Sequence, residues 1–159
     1  MSQNAQREQR IQIIASLPAQ LRQLVSQLSR EQLMARPIDG EWSVAQNVHH
    51  MADSHMNSFI RLKLILTEEN PTLKPYDQDA WGRMNDEDNP ELESSLLILD
   101  GLHQRWVMVF RSLDEAQWQR TGYHPEIGAV TVADLLETYA SHCQEHVEQL
   151  QRTLKAQGQ

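Results

Sequence analysis

The stretch TVADLLETYASHCQEHVEQLQRTLKAQ, residues 131–157, contains neither proline nor glycine. At about 100° per residue, Val132, Leu135, Tyr139, Val147 and Leu150 fall on one stripe of a helix, with His142 and His146 on or beside it. A helix this long and this one-sided cannot stand alone, because its apolar face has to be covered by other elements. Its start is marked by Thr131 as N-cap with Asp134 three residues on, a loose capping box.

Three more long helical stretches precede it, separated by clear breakers. The first runs from about Ala5 to Leu28, and SLP at Pro18 is expected to end one helix and begin another. SREQLMAR is a short helix boxed by Ser29 and Gln32, and it ends in the loop RPIDGEW. The second long helix spans about Ser43 to Glu69, boxed by Ser43 and Gln46 and stopped by Asn70-Pro71. The third covers about 91–113, with Leu92, Leu96, Leu99, Leu102, Trp106, Val109 and Leu113 at helical spacing. DEAQWQR continues as a short helix and TGYHPEIGAV reads as a turn-rich segment. Four long helices predict an all-α four-helix bundle, one domain over 1–159. Between the second and third lies the proline-rich segment 71–90, long enough to cross the end of a bundle and of a length that often carries function.

With 14 Lys+Arg against 22 Asp+Glu, the net charge is −8, which argues against nonspecific binding to nucleic acid or an anionic membrane. The single Cys143 excludes an internal disulfide framework, and the N-terminal MSQNAQREQRIQ is too polar for a secretory signal. No apolar run approaches the roughly 18 residues of a membrane span. The expectation is a cytoplasmic protein that acts on a small molecule.

Two inward imidazoles four residues apart need separate partners in a dry interior, whereas one cation satisfies both. HCQEH is also the signature of inverted zinc proteases. Such a protease needs a further carboxylate ligand well downstream, and thirteen residues follow His146. Glu145 points about 80° from the midpoint of the pair, a flank suited to a base rather than a ligand. The other ligands are therefore expected from upstream helices. The second long helix offers His49, His50 and His55. Its apolar stripe of Val44, Val48, Ala52, Phe59, Leu62 and Leu66 includes His55. His50 heads a polar row with Ser54, Asn57 and Arg61, which reads either as a solvated face or as the wall of a pocket. Spacing alone does not choose.

WSVAQNVHHMADSHMNSFIR, KPYDQDAW, RWVMVFRSL, YHPEIG and the terminal H-x-x-x-H together resemble the YfiT-like branch of the DinB superfamily, in order, from about Pro18 to Leu150. The resemblance implies a four-helix bundle of up-down-down-up topology, a homodimer, and one divalent metal ion per chain held by His50, His142 and His146. His55 then becomes a core or pocket-lining residue. It also implies a metal-dependent hydrolase, or a transferase that uses a low-molecular-weight thiol as co-substrate. A non-catalytic metal-binding or dimerisation bundle is the reading from another class.

Three imidazoles leave a divalent ion an open position, the mark of a catalytic rather than a structural site. The ligand set suits zinc or nickel first, and also iron, manganese or cobalt, and the sequence does not choose among them. Asp53, Glu145 and His124 are the candidate proton acceptors, and Asn57 and Arg61 the candidate pocket residues. Tyr76 and Trp81 are placed to roof the pocket, Cys143 to fill the core, and His103 on the surface or in a structural role.

Overall fold

The structure, a computed structural model, describes residues 2–158. Its elements are α1 (Gln3–Val25), α2 (Arg30–Met34), α3 (Val44–Thr67), α4 (Gln78–Trp81), α5 (Glu93–Arg111), α6 (Glu115–Trp118), β1 (Thr121–His124), β2 (Gly128–Thr131) and α7 (Val132–Ala156). Reciprocal caps start α2, α3, α6 and α7, and three of them are the boxes that the sequence marks at Ser29, Ser43 and Thr131. Each satisfies backbone N–H groups that the first turn leaves open.

Side-chain pairs establish how the helices run. Arg22 meets Asp100 and Glu93 while Arg111 meets Glu8, so α1 and α5 are antiparallel. His49 meets Ser95 and His55 meets His103, so α3 and α5 are parallel neighbours. Asn47 meets His146 and Tyr139 meets Ser54, so α3 and α7 are antiparallel. α7 also packs along α1. The bundle is therefore up-down-down-up. Parallel neighbours cannot be joined by a tight turn, which explains the long crossing between α3 and α5 that carries α4. The core between the helices includes Ile14, Leu17, Leu21, Met51, Leu62, Leu99, Trp106, Phe110, Leu136 and Leu150, each at most 1% exposed. Full burial of such side chains stabilises by about 1.5–3 kcal/mol apiece.

Two expectations are corrected. Pro18 lies inside a continuous α1 rather than between two helices. Proline removes the N–H that would bond the carbonyl four residues earlier, and that carbonyl, on Ile14, is instead bonded by Nδ1 of His103 at 2.6 Å. The tertiary partner makes the interruption unnecessary. TGYHPEIGAV is a β-hairpin, not a plain turn-rich loop: Thr121 pairs with Thr131 and His124 with Gly128, which takes φ +84° at the turn. Gly122 lets the hairpin approach closely, since a Cβ there would lie 3.0 Å from Ile65 and Leu73. Among the described residues no helix is long and apolar enough to cross a membrane.

Candidate metal centre

The Ser43 box fixes the first turns of α3, and three consequences for the site follow. Gln46 of the box also donates to the Gly82 carbonyl, tying the crossing segment to the helix start. Asn47 donates its amide N–H to the Ser43 carbonyl, which leaves its oxygen facing inward. One turn on, His50 projects toward α7, where Trp42 packs against its ring at 4.6 Å.

His142 and His146 project from α7 to meet it. The Nε2 atoms of His146 and His142 are 3.1 Å apart, and those of His50 and His142 are 3.3 Å apart. His50, His142 and His146 form a three-ligand cluster with all donor atoms within 4.8 Å of one another. Burial and the neighbouring imidazoles hold the ring pKa of His142 down to about 2 and that of His50 to about 3. Burial holds His146 down to about 4. Neutral rings are the form that ligates.

The donor chemistry fits a cation. His146 Nδ1 lies 2.8 Å from the Asn47 oxygen, which only accepts, so the ring proton sits on Nδ1 and Nε2 is bare. That bare nitrogen points at two more Nε2 atoms. Nitrogens bound at about 2.05 Å at two corners of a zinc tetrahedron lie about 3.3 Å apart, close to the spacings seen here.

Behind the cluster stand two further buried histidines. His55 Nε2 is 3.0 Å from His142 Nδ1, and His55 Nδ1 is 2.8 Å from His103 Nε2. His103 is 1% exposed, which selects the structural of its two expected roles, and burial holds it down to about 4. His49, the neighbour of His50, faces the other way and joins Ser95 to the Asn89 carbonyl. Cys143 is buried, and burial pushes its thiol up to about 12, so it is a core filler with no thiolate at neutral pH.

Glu145 lines a cavity of about 460 Å³ together with His146, Trp42, Glu41, Asp79 and Arg152. Asp53 turns instead to the crossing segment, where it shares a hydrogen bond with Glu87. Burial first, and then this neighbour, push Glu87 up to about 8, and the Asp53 carboxyl is raised mainly by burial. His124 is buried in the hairpin, where Nδ1 accepts from the Glu126 N–H. The hairpin packs at Ile65, about 22 Å along α3 from His50 at 1.5 Å per residue. Asn57 lines a second cavity with Tyr76 and Trp81, whose rings pack at 4.6 Å. Arg61 donates to the Lys74 carbonyl and so fastens the crossing segment. The polar row on α3 is thus a wall and not a solvated face: Asn57 and Arg61 lie against residues 74–81, while His50 and Ser54 face α7.

Sequence reasoning passed over Asn47, Trp42 and Glu87. Asn47 had one signal, a polar amide one turn before a candidate ligand. Glu87 had none, because only the folded crossing segment brings it to Asp53.

Residues 14–150 match the DinB superfamily. The chain is 39% identical over 154 residues to "Putative metal-dependent hydrolase YfiT" of Bacillus subtilis, covering 96% of this chain and 86% of that protein. "Putative metal-dependent hydrolase OB0782" of Oceanobacillus iheyensis is 42% identical over 134 residues, covering 84% of this chain and 77% of that protein. Among solved structures, the Bacillus subtilis YfiT protein superposes with a TM-score of 0.93 at 38% identity over 99% of this chain and 90% of that one. It is described as a probable metal-dependent hydrolase with an unusual four-helix bundle topology.

Proposed function

This chain belongs to the DinB superfamily, and on that premise we propose that it is a metal-dependent hydrolase acting on a small molecule. The observation that carries the reading is the convergence of three Nε2 atoms, one of them shown bare by its Asn47 partner. His50, His142 and His146 would hold one divalent ion, zinc or nickel by donor type. Such an ion supplies Lewis acidity and lowers the pKa of a bound water toward 7.

The residues around it have separable tasks. Asn47 orients His146, and Trp42 limits how far the His50 ring can turn. The cavity beside His146 receives the substrate, and Glu145, next to His146 in the chain, is the carboxylate of that lining proposed to take a proton. Glu41, Asp79, Glu145 and Glu148 against Arg152 favour a neutral or cationic substrate over a polyanion. Asp53 and Glu87 hold a proton between them under the crossing segment and are the second candidate acid–base pair. The same open position accepts a low-molecular-weight thiol in place of water, which makes thiol transfer the finer alternative. Leu97 and Met108 of α5, 59% and 71% exposed, support pairing of two copies through α5.

The test is elemental analysis of the purified protein, followed by an ester and amide panel before and after metal removal, and a parallel panel of electrophiles with added thiols. One ion per chain and hydrolysis that returns with the metal support the proposal. Turnover only with an added thiol selects transfer over hydrolysis. Full activity of metal-free protein overturns it. Sedimentation at micromolar concentration giving the monomer mass removes the pairing.

A further inference from the structure

Four groups in a row connect a backbone carbonyl of α1 to the candidate ligand His142. Ile14 O is 2.6 Å from His103 Nδ1, His103 Nε2 is 2.8 Å from His55 Nδ1, and His55 Nε2 is 3.0 Å from His142 Nδ1. Each contact is short enough to require one proton and has room for only one. His55 and His103 are 0% and 1% exposed, so the hydrogen-bond partners of their rings come from within the row.

One end of the row sets all of it. A carbonyl oxygen only accepts, so His103 must carry its proton on Nδ1. A neutral ring has one such proton, which makes His103 Nε2 an acceptor and obliges His55 to donate from Nδ1. His55 Nε2 then accepts, and His142 donates from Nδ1. Of the three unprotonated Nε2 atoms, the one that accepts no proton from within the row is His142 Nε2, the atom that faces His50 and His146. Pro18 leaves the anchor to His103 alone, because the helical partner of the Ile14 carbonyl is the proline nitrogen, which has no proton.

We propose that Pro18, His103 and His55 are positioning residues for the metal centre: a relay anchored on the Ile14 carbonyl fixes His142 as its Nδ1–H tautomer and presents a bare Nε2 to the ion. The proposal rests on the metal reading. It also strengthens the fit, since His142 and His146 then oppose two lone pairs at 3.1 Å, an arrangement a cation relieves. Most ligating histidines are oriented by a single partner; here the partner is itself oriented by another ring and a backbone group three contacts away.

The tautomers are read first in metal-free, full-length protein by long-range ¹H–¹⁵N correlation of the imidazole rings. Nδ1–H on His103, His55 and His142 is expected, and an Nε2–H signal on His142 overturns the relay. Co²⁺ is then titrated into wild type, H103L and H103Q, with urea stability measured on each. His103→Leu removes the acceptor for His55 and is expected to weaken Co²⁺ binding about 10- to 100-fold. His103→Gln keeps an acceptor oxygen and is expected to recover most of that loss. If His103→Leu loses stability but binds Co²⁺ as wild type does, the histidine is structural only and the proposal fails. Wild-type protein with the expected tautomers but no Co²⁺ uptake overturns the metal reading instead, while supporting the tautomer assignment.

Discussion

His49 and His50 are consecutive, and they are 5% and 4% exposed. Burial therefore says nothing about which one serves the site. The difference is in their protons. His49 Nε2 donates to the Asn89 carbonyl and Nδ1 accepts from the Ser95 hydroxyl, so its hydrogen bonding is complete. His50 presents Nε2 to the Nε2 of His142, and that nitrogen in turn faces His146. A saturated histidine fastens structure. A set of imidazoles with fewer protons than contacts calls for a cation.

The contrast breaks most sharply by exchange of the two neighbours. His50→Ala, like His142→Ala or His146→Ala, is expected to abolish stoichiometric metal binding. His49→Ala is expected to leave it intact while lowering stability by about 1–3 kcal/mol, the cost of stranding its buried partners. Metal analysis and urea unfolding on the pair read both effects. A metal-free His49→Ala protein that keeps its fold would erase the distinction.

Acid sharpens it next. Burial lowers the ring pKa of His50, His55, His103, His142 and His146 below the ordinary value of 6.5. Unfolded rings take up protons at about 6.5 while the folded ones stay neutral to about 4 or below. The stability that these rings supply to the metal-free protein is therefore full above pH 6.5 and falls as the pH drops toward 4. Each ring contributes up to about 1.4 kcal/mol per pH unit. Thermal unfolding in a chelator across that range checks the direction, and His103→Gln should shallow the slope.

Asn47→Leu comes third. It removes the acceptor that holds the His146 proton on Nδ1, and an expected loss of about 10- to 100-fold in metal affinity separates a positioning group from a ligand. Pro18→Ala is the smallest change. It returns an N–H to compete for the Ile14 carbonyl, but a carbonyl has two lone pairs and can keep His103. The expected loss in Co²⁺ affinity is at most about fivefold, the equivalent of one hydrogen bond of about 1 kcal/mol.

How far the sequence carries the reader follows the range of each interaction. The boxes at Ser29, Ser43 and Thr131 are local, and all three form as written. The helical stripe places His142 and His146 inward because both lie on one element. Pro18 misleads because its remedy comes from His103, 85 positions along the chain and invisible to any local rule. The wheel puts His55 on the core stripe, which is where it lies, yet a wheel describes one helix and cannot show a ring wedged between two others. The hairpin at 121–131 is short, and pairing partners plus the Gly128 turn are needed to separate it from a loop.

The order of the helices bears on how this chain acquires its fold. Around the bundle the sequence is α1, α5, α3, α7, so α1 and α3 lie diagonally opposite, as do α5 and α7. Among the described residues the consecutive long helices that pack along each other, α3 and α5, are parallel and separated by the whole crossing segment. Among the described residues no two long helices form a hairpin that could nucleate cheaply, and every interface of the bundle waits on the closure of a long loop. All-α domains usually fold fast because their contacts are local; this one gives up that advantage. Its refolding rate should resemble that of a mixed α/β domain of similar size more than that of an up-down-up-down bundle.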